Sequence, residues 1–168
     1  FINMGVDGFA AAKIMANCTE QGYTGAYSVS AGSVAGALLQ GTDNLVGTLN
    51  GFPWWVDDAP VVEYRSVMDS AGVDPEGYEN PTATGIWAAL QMFAKANATL
   101  SDAPTAAETL ANMFTIKDET LGGLVSPTTW TEGETAPPRN CWWNYSLTAG
   151  VLENPLGGLA YQCNPAAS

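Results

Sequence analysis

The chain opens on Phe1-Ile2-Asn3-Met4-Gly5, which reads as the end of a buried strand. Asp7 stands at a helix N-cap position. Ala11, Met15 and Cys18 then fall at i, i+4 and i+7, the spacing of one helical face, and Gly22 ends that helix. Ala26–Ser30 is a second short apolar strand. Gly32 and Ser33 introduce a short helix carrying Val34, Leu38 and Leu39, and Leu45–Gly51 is a third strand. Strand, helix, strand, helix, strand predicts an α/β fold built on a parallel sheet.

After Gly51 the pattern becomes helical. Pro53, Trp54 and Trp55 precede an acidic N-cap, Asp57 or Asp58, with Pro60 in the first turn. Val61, Tyr64 and Met68 share one face of a helix that stops near Gly72, and residues 73–81 read as a loop. Asn80 and Pro81 start a long helix with Ile86, Ala89, Leu90 and Phe93 as its apolar face. Thr105 and Glu108 form a capping box for a helix containing Leu110, Met113 and Phe114. Past Gly122 and Gly123 the pattern is irregular. Strands are expected around 140–147 and 157–162, joined by a turn near Asn154-Pro155. Three helices with no clear strand beside them thus lie between two strand-rich ends.

Composition narrows the chemistry. The chain has 168 residues, 46% of them apolar, and a formal net charge of −12. That length suffices for a real core. There is no histidine, which removes Ser-His-Asp and Cys-His catalysis and His-ligated metal sites. Lys13, Arg65, Lys95, Lys117 and Arg139 are scattered along the sequence. They form no patch to offset phosphate charge, so nucleic acid is not an expected partner. No dinucleotide or phosphate-loop fingerprint appears, and no cofactor is expected. Cys141 and Cys163 bracket a segment able to fold back as a hairpin. They are either a disulfide formed in an oxidising compartment or two buried thiols. Cys18 is a core thiol or the partner of a cysteine outside the chain. Sequons occur at Asn17, Asn97 and Asn144 and matter only in a glycosylating source.

Five pieces in this order resemble the C-terminal half of a type I periplasmic solute-binding protein, of the branched-chain amino acid receptor class that feeds ABC transporters. They are FINMGVDGFAAAKIMANCTEQGY, AYSVSAGSVAGALL, LVGTLNGFPWWVDDAPVVEYRSVMD, YENPTATGIWAALQMFAKA and LGGLVSPTTWTEGETAPPRNCWWNY. The resemblance implies two α/β lobes joined by three hinge strands, with a ligand between them. Residues 1–51 then belong to the second lobe, 52–130 supply helices and a crossover to the first, and 131–168 return to the second. The middle helices would have an apolar face and no sheet of their own to cover. The expectation is an N-terminal portion, present as a companion chain or within a longer parent. The resemblance also implies an extracytoplasmic location, periplasmic or as a cell-surface lipoprotein, with a small-molecule solute and an ABC transporter permease as partners.

Ligands in open α/β folds sit where strand C-terminal ends meet helix N-termini. Met4, Val6 and Asp7 form one such loop; Asp7 either faces a ligand or simply caps its helix. Ser30 and Ala31 form the second. The resemblance places an acidic residue near Ala31 in amino acid receptors, so its absence favours a carboxylate, an aromatic acid, an amide or a neutral solute. Tyr78 lies before the long helix, where the family makes cleft contacts. Trp54 and Trp55 stand at the implied hinge, where one lines the cleft or both pack the hinge. Trp142 and Trp143 alternate faces of a strand and read as structural. Two other functions remain open. One is a ligand-sensing domain of a larger receptor. The other is a carboxylate-based hydrolase using Asp57 and Asp58, or Glu132 and Glu134.

Overall fold

The computed structural model describes residues 1–36, 42–136 and 140–164. Leu38, Leu39 and Arg139 lie outside the described residues. The fold is α/β, a mixed sheet flanked by helices. Its strands are β1 (Ile2–Met4), β2 (Tyr27–Val29), β3 (Leu45–Leu49), β4 (Cys141–Thr148), β5 (Val151–Glu153) and β6 (Gln162–Cys163). Its helices are α1 (Gly8–Glu20), α2 (Ala59–Ser70), α3 (Pro75–Tyr78), α4 (Pro81–Ala96) and α5 (Ala106–Met113). Short 3-10 turns occupy Ala31–Ser33 and Leu121–Gly123.

Strands β1, β2 and β3 are parallel and adjacent, as the alternation of strand and helix predicts. β4 corrects the expectation of a purely parallel sheet. It runs antiparallel along the whole of β3, with Leu45 opposite Leu147 and Leu49 opposite Trp143. One face of the sheet is apolar: Met4, Val29, Leu45, Leu49, Trp143, Tyr145 and Leu147 are buried there. α1 contributes Ala11 and Met15 to the same core. On the other face Asn3, Val46 and Thr48 are exposed.

The end of the chain departs from expectation in two ways. β4 turns into β5 through Ala149 and Gly150, both at positive φ (52° and 76°). That two-residue reversal, not Asn154-Pro155, makes the hairpin. The strand expected over 157–162 shrinks to β6, which pairs with the start of β4. There Cys141 lies opposite Cys163 and the two are disulfide-bonded. Cys18 is free and half-buried against the core.

α2 to α5 pack chiefly on one another and on the two 3-10 turns. Phe52, Trp54, Val61, Tyr64, Tyr78 and Ala88 join them to the core of the sheet layer. Gly51, just beyond β3, makes the junction close. A Cβ at Gly51 would sit 2.7 Å from the Pro81 carbonyl oxygen and 3.2 Å from the Gly85 nitrogen. A side chain there would push the first turn of α4 away from the strand end.

α4 uses a different face for this packing from the one its large residues suggest. Pro81, Thr84, Ala88, Met92 and Ala96 are buried. Ile86, Leu90 and Phe93 remain 56%, 61% and 49% exposed. The small side chains at 84, 88 and 96 let α4 approach its neighbours closely, and the bulkier stripe is left outside. Lys95 is the one charged residue of the helix. A helix apolar on both sides is characteristic of one covered on both sides.

Candidate functional site

Two loops meet at the C-terminal ends of adjacent parallel strands. The β1–α1 loop holds Val6 and Asp7 after the buried Met4. Asp7 caps α1, its Oδ1 accepting from the Ala10 amide at 3.0 Å. That bond satisfies one of the orphan donors of the helix start and fixes the entry of the chain. The loop after β2 starts at Ser30 and passes into the 3-10 turn of Ala31–Ser33. Ser30 Oγ and Ser33 Oγ are 2.8 Å apart, and Ser33 Oγ donates to the Val6 carbonyl at 3.1 Å. The hydroxyl of Ser33 therefore ties the two loops together.

This loop pair lies at the seam with the helical layer. The Ala31–Ser33 turn packs against α4, whose N-cap Asn80 accepts from the Ala83 amide at 2.9 Å. A Cβ at Gly36 would lie 3.5 Å from Glu76 Oε1 of α3. Met4, Val6, Asp7, Ser30 and Ala31 thus share one end of the sheet, beside α3 and α4. With Ser33, the cluster offers two hydroxyls, one carboxylate and main-chain polar groups. These suit hydrogen bonding to a small solute.

Tyr78 and Trp54 are placed differently. Both are buried, at 4% and 2% exposure. The Tyr78 hydroxyl donates to Asp69 Oδ1 at 2.7 Å, while its carbonyl accepts from the Tyr64 hydroxyl at 2.7 Å. The bond to Asp69, together with burial, pushes the Tyr78 phenol up to about 12. Burial, with smaller contributions from neighbouring Tyr78 and Glu79, does the same to Tyr64. The two rings meet edge to face. Trp54 packs edge-on against Trp55 with centroids 4.8 Å apart. Its carbonyl accepts from Arg65 Nη1, which also donates to the Val56 carbonyl, both at 2.7 Å. The Trp55 indole N–H is buried without an acceptor among the described residues. Trp143 is buried in the sheet core, and Trp142 is half-buried.

The carboxylate pairs point to separate partners. Asp57 is exposed and bonds Arg65 Nη2 at 2.7 Å. Asp58 precedes α2 and lies against Gly158. Glu132 and Glu134 sit in an exposed turn. Among the described residues no group of three or more Cys, Asp or Glu side chains is placed to hold a metal ion. No helix there is long and apolar enough to cross a membrane.

Two contributors carried too little sequence signal to be found. Arg65 staples α2 to the 54–57 crossover through contacts eight to eleven residues away, for which no short motif exists. Ser33 was legible as introducing a short helix, but its bond to Val6 spans 27 residues. No protein-family profile, curated protein or solved structure matches the chain.

Proposed function

We propose that this chain is part of an extracytoplasmic solute-binding receptor of the type I periplasmic kind, which captures a small solute and passes it to an ABC transporter permease. The observation that carries the proposal is the seam itself. Two loops at strand C-terminal ends are tied by Ser33, and the second of them packs against α4 across the junction of the sheet and helical layers. That is the position at which open α/β folds take ligands. Closure follows when a solute touches both sides of such a seam better in the closed state than in the open one.

The outer stripe of α4 supports the same reading. Ile86, Leu90 and Phe93 fall on one face and await a covering layer. A first lobe supplied by an N-terminal portion or companion chain is the partner this face suits. The cystine fits an oxidising, extracytoplasmic compartment. Without an acid at Ala31, a solute presenting a carboxylate or amide, including an aromatic acid, is favoured over a bare ammonium.

A thermal-shift screen of amino acids, amides, carboxylates and aromatic acids tests the reading. At a hundredfold excess over Kd, binding adds about 2.7 kcal/mol. For a chain of this size that raises the melting temperature about 5–10 °C. Ser33→Ala weakens binding of the same solute, and Asp7→Asn, by removing a negative charge, strengthens binding of a carboxylate. A hit indifferent to both variants contradicts the site, and turnover of the solute contradicts the receptor.

A further inference from the structure

The last described residues form a strap rather than a free tail. After β5, Asn154 folds the chain back, its Nδ2 donating to the carbonyls of Gly158 and Ala160 at 2.8 Å each. The strap then crosses the seam. At Gly158 a Cβ would lie 2.7 Å from Asp58 Oδ2, beside the start of α2. The Leu159 side chain is buried, and a Cβ at Gly123 would lie 3.3 Å from its Cδ1. The Leu159 carbonyl accepts from the Trp143 indole at 3.0 Å, and Tyr161 meets the Trp143 ring edge-on. Beyond these contacts come β6, the bond from Cys163 to Cys141 and a 2.8 Å bond from the Asn164 amide to the Asn140 carbonyl.

Three parts of the fold meet on this strap: the approach to α2, the Leu121–Gly123 turn of the helical layer, and β4. One covalent bond anchors its far end. β6 is two residues long and, among the described residues, pairs only with the start of β4. Strand pairing that short holds little by itself. Cys163 is exposed and Cys141 half-buried, so a reductant can reach the bond.

We propose that the Cys141–Cys163 disulfide is a redox latch, which in its oxidised form holds the 154–163 strap across the seam and when reduced frees the strap and the Leu121–Gly123 turn that it covers. A dithiol reductant acts by thiol–disulfide exchange. One of its thiolates attacks a cystine sulfur, the Cys141–Cys163 bond breaks, and a mixed disulfide forms. Its second thiolate resolves that intermediate. Two electrons and two protons end on Cys141 and Cys163 as thiols, and the reductant leaves as its own cyclic disulfide. The latch does not depend on the receptor reading, because every contact named lies within this chain.

The test is hydrogen exchange read by mass spectrometry on the isolated protein with Cys18 alkylated in both arms, first oxidised, then after reduction with dithiothreitol and alkylation of Cys141 and Cys163. Gly123 and Val125 amides bond to the Thr120 carbonyl, and Ala160 to Gly157, so both regions report protection. Reduction is expected to speed exchange at least tenfold in 157–163 and in 121–125, and to leave α1 unchanged. Reoxidation of protein reduced but not alkylated at Cys141 and Cys163 restores protection. Leu159→Ala with the disulfide intact reproduces the change at 121–125 while 162–163 stay protected. Faster exchange confined to 162–164 overturns the latch. So does faster exchange throughout, α1 included, which makes the bond a global staple. A disulfide that resists dithiothreitol in the folded protein overturns it as well.

Discussion

Gly51 and Gly85 face each other where β3 leads into the helical layer, and alanine at each should act with opposite sign. At Gly51 the new methyl group lies 2.7 Å from a backbone oxygen of Pro81 and 3.2 Å from the Gly85 nitrogen. Neither is the end of a flexible side chain, so the α4 start or the strand end must shift. Overpacking of that kind costs about 1–3 kcal/mol. For a chain of this length the melting temperature falls about 2–12 °C. At Gly85, inside α4, a methyl group meets nothing within 4 Å. Its backbone is already helical, so alanine stabilises by about 1 kcal/mol. Thermal and urea unfolding of the two single variants, read by circular dichroism, give both signs in one experiment. Equal effects at the two sites, or a Gly51→Ala variant as stable as the parent, would refute the close approach of α4 to the end of β3.

Three further outcomes follow. Tyr64→Phe removes one of the two donors to the buried Tyr78 carbonyl, the Asn80 amide remaining, and should cost about 1 kcal/mol by urea midpoint. Glu119 pairs with Lys95 and accepts from the Leu121 and Thr120 amides, which hold its carboxyl below the usual carboxylate range. Its contribution is therefore complete above the ordinary carboxylate pKa and lost as pH falls through the depressed value; Glu119→Gln should flatten that acid limb in pH-dependent unfolding. Leu90→Ser removes a side chain that is 61% exposed in this chain, so its stability alone should change by less than about 0.5 kcal/mol. Association through the α4 stripe should nevertheless weaken about tenfold by sedimentation, as expected from losing roughly 1.5 kcal/mol of burial.

Local signals were read from the sequence where the chemistry is local. The Asp7 cap and the Ala11 and Met15 face of α1 are as the spacing predicts. So are Asn80 and Pro81 at the start of α4, and the Thr105–Glu108 capping box. What was lost depends on distant partners. The antiparallel pairing of β4 with β3 joins residues about a hundred positions apart, and nothing in either strand states a direction. Ala149 at φ 52° is not a residue that announces a turn, whereas Asn154-Pro155 is a stronger signal that here marks the strap. In α4 the bulky Ile86, Leu90 and Phe93 drew attention to one face, while Thr84, Ala88 and Ala96 make the contact. At the candidate site, Met4, Val6, Asp7, Ser30 and Ala31 could be grouped because they end consecutive parallel strands. Burial of Tyr78 and Trp54 could not be read from loop positions. It is set by Asp69, Tyr64 and Arg65 reaching in from α2.

Native mass spectrometry of the protein from its own source tests the central proposal most directly. A receptor whose α4 stripe is covered by a first lobe should appear heavier than the 17.6 kDa of this chain and carry a small molecule. Denaturation should then release that molecule, together with a second polypeptide if the first lobe is a separate chain. A folded monomer of 17.6 kDa with nothing bound would contradict both the covering lobe and the captured solute.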